Sequence, residues 1–169
     1  MNTDKGQILN EAAIAMGVIT IGIVAVFGFV TRAISQERYV ADQAAAVSLS
    51  SEGVEIAKNI LDANVIQTPP RPWNEGFNAG YYELDYSDRV LPSSISPNYE
   101  GSFPYGLSYL GFQDGRYAYG AGDLSRFVRT VRVENVSSSQ IRITSRVDWR
   151  GRNQRLNSIS IVSDMFNWR

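Results

Sequence analysis

From Ala12 to Thr31 the chain reads AAIAMGVITIGIVAVFGFVT, without a single charged side chain. At 1.5 Å per residue a helix of that length covers about 30 Å, the thickness of a bilayer's hydrocarbon core. The segment therefore reads as a transmembrane helix. Two other fates compete for such a run. A secretory signal peptide has a shorter apolar stretch behind a basic start, whereas this one follows Asp4 and Glu11 and leads into further helical pattern. A buried core helix needs a body large enough to surround it, and what remains from Trp73 onward is too small. Lys5 precedes the span and Arg32 and Arg38 follow it, so the distribution of basic residues assigns no orientation. Gly17, Gly22 and Gly28 each weaken a helix in water by ~1 kcal/mol relative to Ala, yet they let neighbouring helices approach closely in lipid. They are candidate helix-packing positions.

Composition removes several functions. The net charge of -1 argues against a dedicated nucleic-acid binder, which ordinarily carries a basic excess. Cysteine is absent, so no disulfide framework or thiolate metal site can form. Histidine is absent too, which removes the usual general base and the commonest metal ligand. No constellation supplies a nucleophile and its base, and no residues imply a cofactor. The chain reads as a non-enzyme.

The tract just before the span is Lys5-Gly6-Gln7-Ile8-Leu9-Asn10-Glu11. A short polar leader ends in Gly6, apolar residues follow at once, and a lone acid stands five positions after the glycine at the membrane edge. A carboxylate costs ~2.5 to 3.5 kcal/mol at the centre of a membrane helix and calls for a partner. On a plain reading, Glu11 favours a helix N-terminus through the macrodipole by ~0.3 to 1 kcal/mol. Taken together, leader, glycine, acid and span resemble the class III signal of type IV pilins and pseudopilins. The resemblance implies cleavage after Gly6 by a prepilin peptidase, with Gln7 as the new N-terminus. It implies that Glu11 is the assembly carboxylate, pairing with the freed amine of a neighbouring subunit. It also implies a single-pass cytoplasmic-membrane protein that passes into an extracellular pilus, with N-methylation at Gln7. Two departures stand out: Gln7 occupies a position where major pilins carry Phe, and the span lacks the proline that kinks many pilins.

Helical pattern continues through Ile34 to about Ala63 without Pro. Val40, Ala44, Val47, Val54 and Ile60 suggest an apolar stripe facing a head domain. Gly53, after Ser50, Ser51 and Glu52, offers a place for a bend or break. The run from Ser51 to Asn64, with its Glu-Gly-Val-Glu and Lys-Asn pairs, is similar to the helix end of minor pilins. Glu52, Glu55 and Lys58 by themselves read as a solvated face. Pro69, Pro70 and Pro72 end the helix. The organisation expected is a leader over 1–6, a membrane and assembly helix over 7–33, an amphipathic stalk over 34–66, a Pro-rich junction over 67–72 and a β-rich head over 73–169.

In the head, Tyr81 to Tyr86 reads as a first strand. Asp114-Gly115 between Leu110-Gly111-Phe112 and Tyr117-Ala118-Tyr119 is a hairpin signal, since a two-residue primed turn needs positive φ. Pro92, Pro97 and Pro104 mark a surface loop. Further on, Val131 and Val133 share a face, as do Ile141, Ile143, Val147 and Trp149, while Arg142, Thr144, Arg146 and Asp148 point the other way. A turn at Arg150 to Asn153 leads to a last strand around Ile159 and Ile161, and Phe166 to Arg169 is expected to fold back on the sheet. The fold class is α+β: a long N-terminal helix packed on an antiparallel sheet, the pilin fold.

Acids prevail between Trp73 and Ser125 and arginines from Arg126 onward. Filament contacts, intramolecular pairing, a DNA-gripping face and plain solvation are the readings of that asymmetry. The tyrosines fill a small core or present a surface ligand site. Glu83, Asp85 and Asp88 lack the spacing of a calcium loop. The function expected is a structural subunit of a type IV pilus or related secretion filament, resembling minor pilins, whose partners are other pilin subunits, the prepilin peptidase and the membrane. The competing reading is an uncleaved, membrane-anchored adhesion or binding module.

Overall fold

The structure is a computed structural model describing residues 3–97, 106–120, 122–151 and 154–167, with the backbone alone for 3–6. The chain forms two compact units, Met1–Asp42 and Gln43–Arg169. A single helix, α1 (Thr3–Ile66), runs through both. Gly53 causes no break. The remaining elements are β1 (Gly80–Tyr82), β2 (Tyr109–Gln113), β3 (Arg116–Tyr119), β4 (Asp123–Ser137), β5 (Gln140–Arg150) and β6 (Leu156–Phe166). They build one antiparallel sheet in the order β3-β2-β4-β5-β6, with β1 also pairing to β4. One long helix packed on a six-stranded antiparallel sheet makes the fold α+β.

Alternation by twos sets which side chains meet the helix. Ile141, Ile143, Ser145, Val147 and Trp149 of β5 are buried, as are Phe127, Arg129, Val131 and Val133 of β4. The buried face of α1 is Ala46, Leu49, Ser50, Gly53, Ile56, Ala57, Ile60 and Leu61, in helical steps of three and four. This corrects the expected stripe. Val40, Ala44 and Val47 are exposed, Val54 is half-buried at the flank, and Ile60 alone lies on the buried face. The six-residue step from Val54 to Ile60 turns a helix through about 240°, so those two cannot share one narrow face.

Two apolar clusters result. Ile56, Ala57, Ile60 and Leu61 pack with Phe77, Tyr82, Leu84, Val131, Val133, Ile141 and Ile143. Ala46 and Leu49 pack with Leu110, Phe127, Val147 and Trp149. Between them lies a polar seam: Ser50 and Gly53 from the helix, Arg129 from β4 and Ser145 from β5. Ser50 Oγ donates to the Ser145 carbonyl at 2.7 Å.

Gly53 marks the close approach of helix and sheet. A Cβ there would lie 2.4 Å from Ser145 Oγ, 3.2 Å from Ser145 Cβ and 3.1 Å from Arg129 Cδ. Substituting Ala gains ~1 kcal/mol of helix propensity but overpacks the seam by ~1 to 3 kcal/mol. Gly53→Ala is therefore expected to lower stability by about 1 kcal/mol in thermal unfolding of the detergent-solubilised chain. Adding Ser145→Ala, which removes the closest atom, should recover part of that loss.

The hairpin forms as expected, with Asp114 at φ 52° and Gly115 at φ 78° in the turn between β2 and β3. The first strand is shorter than expected. Past Tyr82 the carboxylates turn to backbone amides: Asp88 accepts from Asp85 N at 2.7 Å, Asp85 from Tyr86 N at 2.6 Å and Tyr119 N at 3.2 Å, and Glu83 from Ser108 N. These bonds favour a loop over a ladder. At the far end, Asn167 N donates to Ser139 O at 2.9 Å. Pro104, Arg152, Asn153, Trp168 and Arg169 lie outside the described residues.

Candidate functional site

Unit Met1–Asp42 carries the residues singled out for processing and assembly. Gly6, Gln7 and Glu11 all lie within α1, which is continuous across the boundary between leader and span. Gln7 and Glu11 are exposed, and among the described residues the Glu11 carboxylate meets no hydrogen-bond or ion-pair partner. The helix presents Ile8, Leu9, Ile14, Met16, Val18, Ile19, Phe27 and Phe29, each more than half exposed, to its surroundings. A water-soluble surface rarely exposes an apolar patch beyond a few hundred Å². So large an apolar cylinder calls for lipid, partner helices or both. Among the described residues this is the one helix long and apolar enough to cross a membrane, with a mean hydropathy of 2.5 over its best window. The two threonine hydroxyls along the apolar run bond to the helix's own carbonyls: Thr20 donates to Met16 O at 2.7 Å and Thr31 to Phe27 O at 2.9 Å.

Nothing lies within 4 Å of a Cβ built on Gly17, Gly22 or Gly28, so each leaves its backbone open to an approaching helix. They do not form one stripe. Eleven helical residues return to within about 20° of the starting direction, which puts Gly17 beneath Gly28 and Glu11 beneath Gly22. Glu11 thus shares its side of the helix with a small residue three turns away.

Unit Gln43–Arg169 holds the residue that sequence reasoning passed over. Arg129 is fully buried. Its Nη2 donates to Leu84 O at 2.6 Å, its Nη1 donates to Leu49 O at 3.2 Å, and Nη1 lies 3.3 Å from Glu52 Oε2. Glu52, expected on a solvated face, is instead the counter-ion of this guanidinium and about one-third exposed. Tyr119 Oη donates to the Arg129 carbonyl at 2.8 Å, and burial pushes its hydroxyl well above the ordinary tyrosine range. The signal was in the register: Arg129 falls two residues from both Phe127 and Val131 on an inward-facing strand.

The arginine-rich half of the head is largely paired within the chain. Arg132 meets Glu134 at 3.0 Å, Arg146 meets Asp148 at 2.7 Å, and Arg142 holds Asp164 through bonds of 2.8 and 3.0 Å. The hydrogen bonds from Arg142 hold the Asp164 carboxyl below its usual value. Intramolecular pairing accounts for these four arginines: Arg132 and Arg146 pair with acids two residues on along their own strands, Arg142 reaches across to β6, and Arg129 meets the helix. No cluster of three metal-ligating side chains occurs among the described residues. Of the tyrosines, Tyr82 is buried in the core and Tyr86 is half exposed beneath the Arg116 guanidinium, 5.7 Å from its ring centre. Tyr86 and Tyr117 line an open cleft of about 420 Å³ with Glu52 and Arg116. Comparison with protein-family models, with curated proteins and with solved structures finds no match.

Proposed function

We propose that this chain is a structural subunit of a type IV pilus or related secretion filament, cleaved after Gly6 and assembled through its N-terminal helix. The observation that carries the reading is the placement of Glu11: an exposed, unpartnered carboxylate among the described residues, one turn from Gln7 at the start of the apolar run. In lipid such a group needs a cation. Cleavage after Gly6 supplies one, since an α-ammonium on Gln7 of a neighbour offsets the charge when helices pack side by side. The glycines support the same arrangement, because open backbone at Gly22, on the Glu11 side of the helix, favours close packing there. Before assembly the chain sits in the cytoplasmic membrane through this one span, and afterwards it belongs to a surface filament. Its partners on this reading are other pilin subunits and a prepilin peptidase. The particular helix tract and Gln7 favour a minor subunit over the major one.

The test is fractionation. Mechanical shearing of cells that express the chain should release it with surface filaments, and cells lacking the prepilin peptidase should retain it in the membrane. Retention in both strains would support an uncleaved anchored module instead.

A further inference from the structure

Four arginines outside the pairs above gather at one end of the sheet. Arg116 follows the β2–β3 turn, Arg126 stands just before Phe127, and Arg150 and Arg155 flank the β5–β6 turn. Register brings these segments together: Phe112 pairs with Asp123, Gln113 with Arg116, Phe127 with Trp149 and Arg150 with Leu156. All four arginines are exposed, and the acids in the same segments are Asp114 and Asp123. Apolar side chains are set among them, with Leu124 76% exposed, Phe112 47% and Leu156 39%. The turn at the opposite end, from Val136 to Gln140, holds no charged residue.

The basic end is also the end at which α1 enters this unit. Ala46 and Leu49 pack with Phe127 and Trp149, whereas Ile56, Ile60 and Leu61 pack with the group that holds Val133 and Ile141, toward the other end. Twelve residues separate Gln43 from Thr31, the last of the uncharged run, and as helix they span at most about 18 Å of height above the hydrocarbon. Headgroups fill ~5 to 8 Å of that height. The remaining gap is on the order of one Debye length, ~10 Å, so anionic lipid attracts these arginines. We propose that this end of the sheet docks on the anionic headgroups of the bilayer that α1 enters, with the arginines on lipid phosphates and Leu124 among the headgroups. Basic side chains beside exposed apolar ones suit that interface, which rewards both. A nucleic-acid backbone offers charge but no complement for Leu124 and Phe112. The docking concerns the chain before any assembly, and it rests on the span alone, not on cleavage or filament packing.

The chain has no thiol of its own, so a fluorophore on one introduced cysteine reports one position. The full chain with Leu124→Cys, labelled, is placed in nanodiscs of phosphatidylcholine alone and in nanodiscs that also contain anionic phosphatidylglycerol. Acrylamide, a neutral water-soluble quencher, then measures exposure of the label. Quenching should be at least about threefold weaker in the anionic discs, since each basic side chain held at an anionic surface adds about fivefold to binding. A label at Val136→Cys, at the opposite end, should quench alike in both. Salt at ~1 M, where the Debye length is ~3 Å, should abolish the difference. The combined variant Arg116→Gln, Arg126→Gln, Arg150→Gln and Arg155→Gln, all at exposed positions, should abolish it too. Recovery of the chain in discs of both compositions establishes the span independently, so equal quenching of the Leu124→Cys label in the two lipids would overturn the docking alone. So would equal protection of the Val136→Cys label. Stronger protection of the Leu124→Cys label by a short DNA duplex in phosphatidylcholine discs than by the anionic lipid would assign the surface to nucleic acid and overturn it as well.

Discussion

Replacing Glu11 by Gln is expected to leave the chain in the membrane and, on the proposed reading, to remove it from the filament. The two outcomes separate because they depend on different physics. Insertion follows the uncharged run from Ala12 to Thr31, and losing a carboxylate at its edge can only make insertion cheaper. On the proposed reading assembly depends on the charge, because a neutral amide cannot offset an ammonium freed at Gln7 of the next subunit. A weakening of ~1.4 kcal/mol is already tenfold in association, and an ion pair broken in a low-dielectric setting exceeds that. Incorporation of Glu11→Gln into sheared filaments should therefore fall at least tenfold at unchanged membrane abundance. Glu11→Asp, which keeps the charge on a shorter arm, should fall in between. Incorporation at the normal level would remove the pairing role.

The second large effect is expected far from the membrane segment, at Arg129. Truncation to Ala strips partners from Leu49 O, Leu84 O and the Glu52 carboxylate at the helix–sheet seam, and leaves a void where a fully buried side chain stood. Breaking such a buried set costs ~3 to 5 kcal/mol. For a unit of this size that corresponds to a fall in Tm on the order of 10 to 20 °C. Part of the penalty is relieved because Glu52 is about one-third exposed and can turn to water; the two carbonyls account for the rest. Arg132→Met is the control. Its ion pair with Glu134 lies at the surface, where such pairs contribute ~0 to 1 kcal/mol. Equal losses at both positions would refute the seam as the fastening between helix and sheet.

The contrast between these arginines shows where the sequence was legible. Alternation placed Ile141, Ile143, Val147 and Trp149 on the helix side of β5, and the Asp114-Gly115 turn placed the β2–β3 hairpin, because both signals are local and set by side-chain period or φ. The docking face of the helix was harder to read. Its centre is Ser50, Gly53 and Ala57, small residues that carry no hydrophobic signal and are chosen for closeness of approach. A search for branched apolar residues found Val40 and Val47, which face outward. Arg129 was hidden for a related reason: charge argues for the surface, and only the register between Phe127 and Val131 argues otherwise. β1 ended early because Glu83 and Asp85 bond to the Ser108 and Tyr119 amides, brought near by the fold, while Asp88 closes a local turn on Asp85 N; the long-range part of that competition is invisible in a propensity reading. Gly6, Gln7 and Glu11 form the opposite case. Their meaning lies in spacing along the chain, and a single copy of the helix adds only that Glu11 is exposed and shares a side with Gly22.

The mass of the mature chain tests the central claim most directly. Recovered from the surface of cells that carry a prepilin peptidase, it should begin at Gln7, lacking the six residues from Met1 to Gly6. An N-terminus still at Met1 would leave Glu11 without the amine it is proposed to meet, and would contradict the account.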